Sequence, residues 1–181
     1  MARPHRDSEA GIFHVFTHCV WAAPAYFRDD QDRMVFLREL ARVTKRYECA
    51  CVGFALLGTH YHLMIDVGRG AMSRAMQAMN WRYAMQFNAR YKSRGHVQFA
   101  RFGSRRIDDE PDLRSTYRYM ARNPVEAGLS ATPQEWPWSS YAGTVALAET
   151  QTFVDSTILL SSFDGPTEIA IARLRAFVEE S

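Results

Sequence analysis

Apolar residues recur with strand and helix periods along the first half of the chain. Residues 12–21 are rich in β-branched and aromatic side chains, which predicts a strand. A helix is predicted from Asp29 or Asp30, either of which can cap it, to about residue 47, because apolar residues then repeat at helical spacing. The same spacing predicts a second, longer helix over residues 71–91. The first half of the chain therefore combines strands with long amphipathic helices.

Two more strands are expected between these helices and a fourth after them. Residues 50–57 and 60–67 are apolar runs separated by Gly58-Thr59, which predicts a hairpin. Residues 97–107 are expected to be extended. The order β-α-β-β-α-β is typical of the ferredoxin-like α+β fold, an antiparallel sheet with both helices on one face. The other face is then available for a site.

The residue pattern in the last third of the chain predicts a helical appendage. A helix is expected from Glu110-Pro111 to about Asn123, because Pro124 disfavours helical geometry in the residue before it. A turn-rich stretch follows over residues 136–141, and a final amphipathic helix is predicted over residues 166–178. We therefore expect an N-terminal tail (1–11), one domain (12–141) and a C-terminal extension (142–181).

Composition limits the class of protein. The chain has 181 residues, 47% of them hydrophobic and 23% charged, which is typical of a soluble globular protein with one core. No apolar run reaches the length of a membrane span. The polar first ten residues and the odd number of cysteines, three, predict a reducing, cytoplasmic location rather than secretion.

Positive charge is clustered although the net charge is only +2. A phosphate backbone responds to local clusters of cations more than to the total charge. The candidate phosphate contacts are Arg69, Arg82, Arg101, Arg105 and Arg106. Three aromatic residues of the turn-rich stretch, Trp136, Trp138 and Tyr141, are candidates either for stacking on bases or for core packing.

Four polar residues carry the candidate chemistry. His60 and His62 are two positions apart on a predicted strand and so point to one face, where both imidazoles can approach one divalent ion. Tyr119 and Asn123 are four positions apart on a predicted helix and also share a face. Together they can supply three neutral ligands and a phenol nucleophile for nicking and rejoining a DNA strand. The alternative is that each residue has an ordinary packing or capping role.

His14 and His18 form a second same-face pair on the first predicted strand. They are interpreted as packing residues or substrate contacts.

Several motifs in chain order give the sequence a family resemblance. They are residues 59–65 (THYHLMI), 95–102 (GHVQFARF), 119–129 (YMARNPVEAGL) and 136–141 (WPWSSY). Over residues 12–141 the chain resembles the single-tyrosine HUH transposases of the IS200/IS605 type, and most closely the REP-associated tyrosine transposases. It departs from their pattern at Gly58-Thr59, where Pro-Asn is frequent, and at Arg122, where Tyr is frequent.

The resemblance implies an activity and a set of roles. His60 and His62 would bind Mg²⁺ or Mn²⁺, Asn123 would be the third ligand, and Tyr119 would be the nucleophile. Zinc remains an alternative metal. The substrate would be single-stranded DNA beside a hairpin such as a repetitive extragenic palindrome, cut through a 5′-phosphotyrosine, by a monomer or a homodimer. Two other functions stay open: a non-catalytic DNA-binding module on the same fold, and a metal-dependent nuclease that uses water.

Overall fold

The computed structural model describes residues 9–17, 25–68, 70–94 and 102–180. Its strands are β1 (Gly11–Phe16), β2 (Ala50–Leu56), β3 (Tyr61–Val67) and β4 (Gly103–Arg106). Its α-helices are α1 (Asp30–Tyr47), α2 (Ala71–Tyr91), α3 (Glu110–Glu126), α4 (Tyr141–Thr144), α5 (Thr157–Ser161) and α6 (Thr167–Glu179). A short 3₁₀ helix covers Pro133–Glu135. No helix in the described ranges is long and apolar enough to cross a membrane.

The four strands form one sheet in the order β2-β3-β1-β4, and every neighbouring pair is antiparallel. This arrangement confirms the predicted ferredoxin-like α+β fold. The register places Phe16 of β1 opposite His62 of β3, and His14 of β1 opposite Arg105 of β4. Part of the predicted fourth strand, residues 97–101, lies outside the described residues.

Helices α1 and α2 cover one face of the sheet. Their starts and ends follow local signals: the Asp29 side chain accepts a hydrogen bond from the Asp32 N–H and caps α1, and Gly70 in the left-handed region precedes α2. Alternate side chains of β1 and β3 point into this layer. The buried residues there include Phe13, Val15, Phe36, Leu40, Tyr61, Leu63, Ile65 and Tyr83.

The opposite face of the sheet is partly covered by α3 and the C-terminal segment. Side chains of β2 and β3, such as Val52 and Met64, are fully buried there against α3 and α6. These apolar residues would otherwise face water, at a cost of about 25 cal/mol for each Å² of exposed apolar surface. The predicted C-terminal extension therefore contributes directly to the second core of the protein.

Helix α3 continues past Asn123 to Glu126, with Pro124 inside it, so the predicted end was wrong. Proline only removes one backbone donor here, and the helix ends at Glu126, just before Gly128, whose φ of 69° suits glycine. The N–H of Gly128 bonds the carbonyl of Val125 and closes the helix. Asn123 consequently lies within the helix rather than at its end.

The outer edge of β2 is covered by residues of the turn-rich stretch. The N–H of Leu56 donates to the Trp138 carbonyl over 2.8 Å, and the Trp136 indole N–H donates to the Leu56 carbonyl over 3.0 Å. These bonds satisfy the backbone N–H and carbonyl of Leu56, on a strand edge that would otherwise be open to pairing with another chain. Tyr141 is only 1% exposed, which favours core packing over base stacking, the two roles that the sequence left open. Trp138 is half-buried and packs against the core between the sheet and α1 and α2, whereas Trp136 is half-buried outside both cores.

Gly53 of β2 allows α3 to approach the sheet closely. A Cβ at this position would lie 2.7 Å from Tyr117 Cε2 and 2.9 Å from Met120 Cε. Gly53→Ala is therefore expected to lower the free energy of unfolding by about 1–3 kcal/mol, because the overpacked core must shift. Urea unfolding followed by circular dichroism measures this. Gly58→Ala is the control, since its added Cβ has no heavy atom within 4 Å; equal effects of the two substitutions would contradict the steric account.

Candidate functional site

Tyr119 lies over a pair of histidines between α3 and the sheet. Its ring centroid is 5.4 Å from that of His62 and 6.2 Å from that of His14, edge-on to both. His62 is buried on β3, whereas 47% of Tyr119 is exposed. The helix thus presents the phenol ring to solvent beside the imidazoles, where a substrate can reach it.

His60 and Asn123 complete the set predicted from the sequence. The ring centroids of His60 and His62 are 5.1 Å apart and nearly perpendicular. His60 Nε2 lies 3.4 Å from Asn123 Oδ1, one helical turn after Tyr119, and His60 Nδ1 lies 3.0 Å from Thr59 Oγ1. The structure therefore brings together all four residues, although they come from two segments about 60 positions apart in the chain.

These side chains offer a donor set that fits a divalent ion. Two imidazole nitrogens and one amide oxygen are neutral ligands that leave coordination positions for water or a phosphate oxygen. Within the described ranges there is no group of three or more His, Cys, Asp or Glu residues that could hold a metal. A metal here would thus depend on the amide of Asn123 as well as on the histidines.

His14, which the sequence analysis interpreted as a packing residue or a substrate contact, lies in the site. Its Nε2 lies 2.9 Å from His62 Nδ1, and the two ring planes are inclined by 24° with centroids 5.1 Å apart. His14 is 7% exposed. Burial, and secondarily the positive charge of Arg105, lower the pKa of His14 to about 4, so its imidazole is neutral at neutral pH. His18, predicted to share its face, lies outside the described residues.

Arg105 joins β4 to the same side of α3. Its guanidinium donates two hydrogen bonds to the Asp112 carboxylate, over 2.6 and 2.9 Å, and one to Thr116 Oγ1 over 2.6 Å. The ion pair lowers the pKa of Asp112. Asp112, Thr116, Tyr119 and Asn123 recur at helical spacing along one stripe of α3. These hydrogen bonds tie the start of this stripe to β4.

The other predicted arginines are placed differently. Arg106 points to the other side of β4 and pairs with Glu9 and, over 3.7 Å, with Asp108. Arg82 belongs to α2, in the helical layer on the far face of the sheet. Arg69 and Arg101 lie outside the described residues. Of the five candidate phosphate contacts, the structure brings Arg105 to the site.

Comparison with solved structures gives a protein of the same fold. The structure of a REP-associated tyrosine transposase bound to a REP hairpin superposes with a TM-score of 0.69 and covers 87% of this chain and 94% of that one. The two sequences are 17% identical, so the likeness is one of fold. It confirms at that level the resemblance carried by the sequence motifs. No protein-family model matches the chain, and no curated protein sequence matches it.

Proposed function

We propose that this protein is a metal-dependent enzyme that nicks single-stranded DNA beside a hairpin and rejoins it through a phosphotyrosine. The observation that carries the proposal is the position of the exposed Tyr119 over His62. Asn123 follows Tyr119 by one turn of α3, and His60 lies beside Asn123. This arrangement lies on the fold of a transposase whose structure includes a REP hairpin. That likeness supports hairpin DNA as the partner.

The reaction needs a nucleophile, an activated phosphate and a covalent intermediate that retains the energy of the broken bond. The Tyr119 oxygen would form a bond to phosphorus while the bond from phosphorus to the 3′ oxygen breaks, and the phenol proton would pass to solvent as the leaving 3′ oxygen takes up a proton. The product is a 5′-phosphotyrosine and a free 3′-OH. A later attack by another 3′-OH would release the tyrosine without any nucleotide cofactor.

The roles of the remaining residues follow from their chemistry. His60, His62 and Asn123 would hold Mg²⁺ or Mn²⁺, which supplies Lewis-acid polarisation of the scissile phosphate when bound. The amide oxygen and the open coordination positions suit these ions for phosphate chemistry, and zinc, which also binds imidazole, is the alternative metal. The helix holds Tyr119 and Asn123 on one rigid element, so the phenol and the ligand keep a constant separation during the reaction. Strand cleavage by either a monomer or a homodimer is compatible with a single tyrosine.

The test is a cleavage assay with hairpin oligonucleotides taken from the DNA that flanks the gene. Strands labelled at the 5′ or the 3′ end are incubated with Mn²⁺, Mg²⁺ or EDTA and separated on denaturing gels. We expect the 3′-labelled strand to become attached to protein only with metal, and the 5′-labelled strand to be released. Cleavage without attachment would instead indicate a nuclease that uses water. Binding without cleavage under every metal condition would indicate a DNA-binding module.

Arg105 is proposed to contact phosphate in addition to bracing α3, and a pair of variants separates these roles. Arg105→Ala is expected to weaken oligonucleotide binding and to reduce the slope of log K against log salt by about 0.7, the value for one phosphate contact on a single strand. Asp112→Asn removes the ion pair but keeps the cation, so its salt slope should match the wild type. Fluorescence anisotropy at several salt concentrations measures both. Identical slopes for wild type and Arg105→Ala would leave Arg105 only its structural role.

A further inference from the structure

We infer that His14 is a positioning residue that accepts a hydrogen bond from His62 Nδ1–H and so directs His62 Nε2 toward a bound metal ion. The inference rests on the proposed function, since it assigns His62 as a metal ligand. It adds a residue from β1 to a site otherwise built from β3 and α3. His14 itself would not touch the metal or the DNA.

The geometry of the two rings supports a specific hydrogen bond. His14 Nε2 and His62 Nδ1 are 2.9 Å apart, which is an ordinary hydrogen-bond distance for nitrogen. Their planes are inclined by only 24°, and both side chains are buried. Burial removes competing water, so a bond between these two atoms couples the tautomers of the two rings.

The tautomer decides whether His62 can bind a metal through Nε2. A neutral imidazole has one N–H and one nitrogen with a free lone pair. If His62 Nδ1 carries the proton and donates it to His14 Nε2, the lone pair of His62 is on Nε2. If His14 Nε2 donates instead, His62 Nε2 carries the proton and cannot ligate. Metal-binding histidines nearly always donate their second ring N–H to a fixed acceptor, and loss of that acceptor typically weakens metal binding tenfold to a hundredfold.

The sheet register explains why His14 can reach His62. The residue directly opposite His62 is Phe16, and His14 is opposite Met64, so the two histidines are diagonal neighbours on adjacent antiparallel strands. Diagonal pairs are close enough for ring side chains to touch. Both residues face α3, whose Tyr119 ring lies across them. The pairing of β1 with β3 therefore places His14 beside His62, the proposed ligand.

The tautomer can be read directly, without metal, DNA or activity. Long-range ¹H–¹⁵N correlation spectra of the ¹⁵N-labelled protein at neutral pH distinguish a protonated from an unprotonated ring nitrogen, and His62→Ala assigns the signals. We expect His62 to carry its proton on Nδ1 in the wild type and to populate the other tautomer in His14→Phe. A wild-type His62 that carries its proton on Nε2 would overturn the inference.

Metal affinity provides the second readout. Mn²⁺ binding by isothermal titration calorimetry is expected to weaken tenfold to a hundredfold in His14→Phe, which keeps a ring but loses the nitrogen, and to recover in part in His14→Gln, which restores an acceptor. Phe16→Leu is the matched control, because Phe16 contacts both histidine rings without a ring nitrogen to offer. Its Mn²⁺ affinity should stay within about threefold of the wild type. Circular dichroism and thermal unfolding verify that each variant is folded.

The outcomes separate the two proposals. Equal Mn²⁺ affinity in the wild type and in a folded His14→Phe would overturn the role of His14 and leave the proposed reaction intact. A wild type that binds no Mn²⁺, with or without an oligonucleotide, would overturn the metal-dependent function itself. Weaker binding in both His14→Phe and Phe16→Leu to the same degree would assign the effect to packing and would also overturn the inference.

Discussion

Replacement of Tyr119 by Phe is expected to abolish covalent attachment of the protein to DNA while leaving the fold and DNA binding unchanged. The substitution removes only the phenol oxygen, which is the proposed nucleophile. Removal of a nucleophile in enzymes that form covalent intermediates lowers the rate by at least about a thousandfold. Because 47% of the side chain is exposed, the loss of the hydroxyl should hardly alter stability. The labelled-hairpin assay on denaturing gels measures attachment, and native gels measure binding.

Tyr117 provides the matched control for this experiment. It lies two residues earlier on α3, but its side chain is fully buried between α3 and the sheet, and burial raises its pKa to about 12. DNA cannot reach it, so Tyr117→Phe should keep the attachment activity. A protein–DNA adduct that persists in Tyr119→Phe and disappears in Tyr117→Phe would contradict the assignment. An unchanged rate of strand cleavage in Tyr119→Phe would mean that water attacks the phosphate.

Leu174→Ala is expected to lower the free energy of unfolding by about 2–5 kcal/mol, the largest effect on stability that we predict. Leu174 of α6 is fully buried in the cluster that also contains Tyr117 and Met120 of α3. Truncating a buried leucine loses the transfer free energy of its methyl groups and leaves a cavity that the surroundings only partly fill. Urea unfolding at neutral pH, followed by circular dichroism, measures the change.

Ile169 of the same helix is the control for Leu174. It is 46% exposed, so Ile169→Ala should change the free energy of unfolding by no more than about 0.5 kcal/mol. A similar small change for Leu174→Ala would mean that α6 is not part of the cooperative core. In that case the C-terminal extension would be dispensable for holding α3, and the attachment assay should be unaffected in Leu174→Ala as well.

Arg122 gives a further link between the C-terminal extension and the site. Its guanidinium donates to the carbonyls of Val178 and Glu180 over 3.1 and 3.2 Å, and Arg118 donates to the Glu180 carbonyl over 2.5 Å. A cation is favourable at this end of α6, where the last carbonyls have no helical partner. Arg122 is the position at which the resembled family frequently has Tyr. In this chain the residue beside Asn123 therefore attaches the last helix to the helix of the candidate site.

Local signals in the sequence were enough to determine most of the helices and the order of the elements. The Asp29 cap and the apolar spacing gave the bounds of α1, and the same spacing gave the bounds of α2. The pairs His60–His62 and Tyr119–Asn123 could be recognised because strand and helix periods place their members on one face. Neither inference requires knowledge of which distant segments meet.

Tertiary structure decided what those local patterns leave open. The bond between His14 and His62 depends on the register of β1 against β3, and the brace between Arg105 and Asp112 depends on where α3 crosses β4. The continuation of α3 through Pro124 depends on the capping turn at Gly128 and on packing against α6, which outweigh the local preference of proline. Contacts between segments that are distant in the chain, such as those of β1 with β3, are set by the burial of shared apolar surface, and periodicity within one segment contains no information about the partner of that surface.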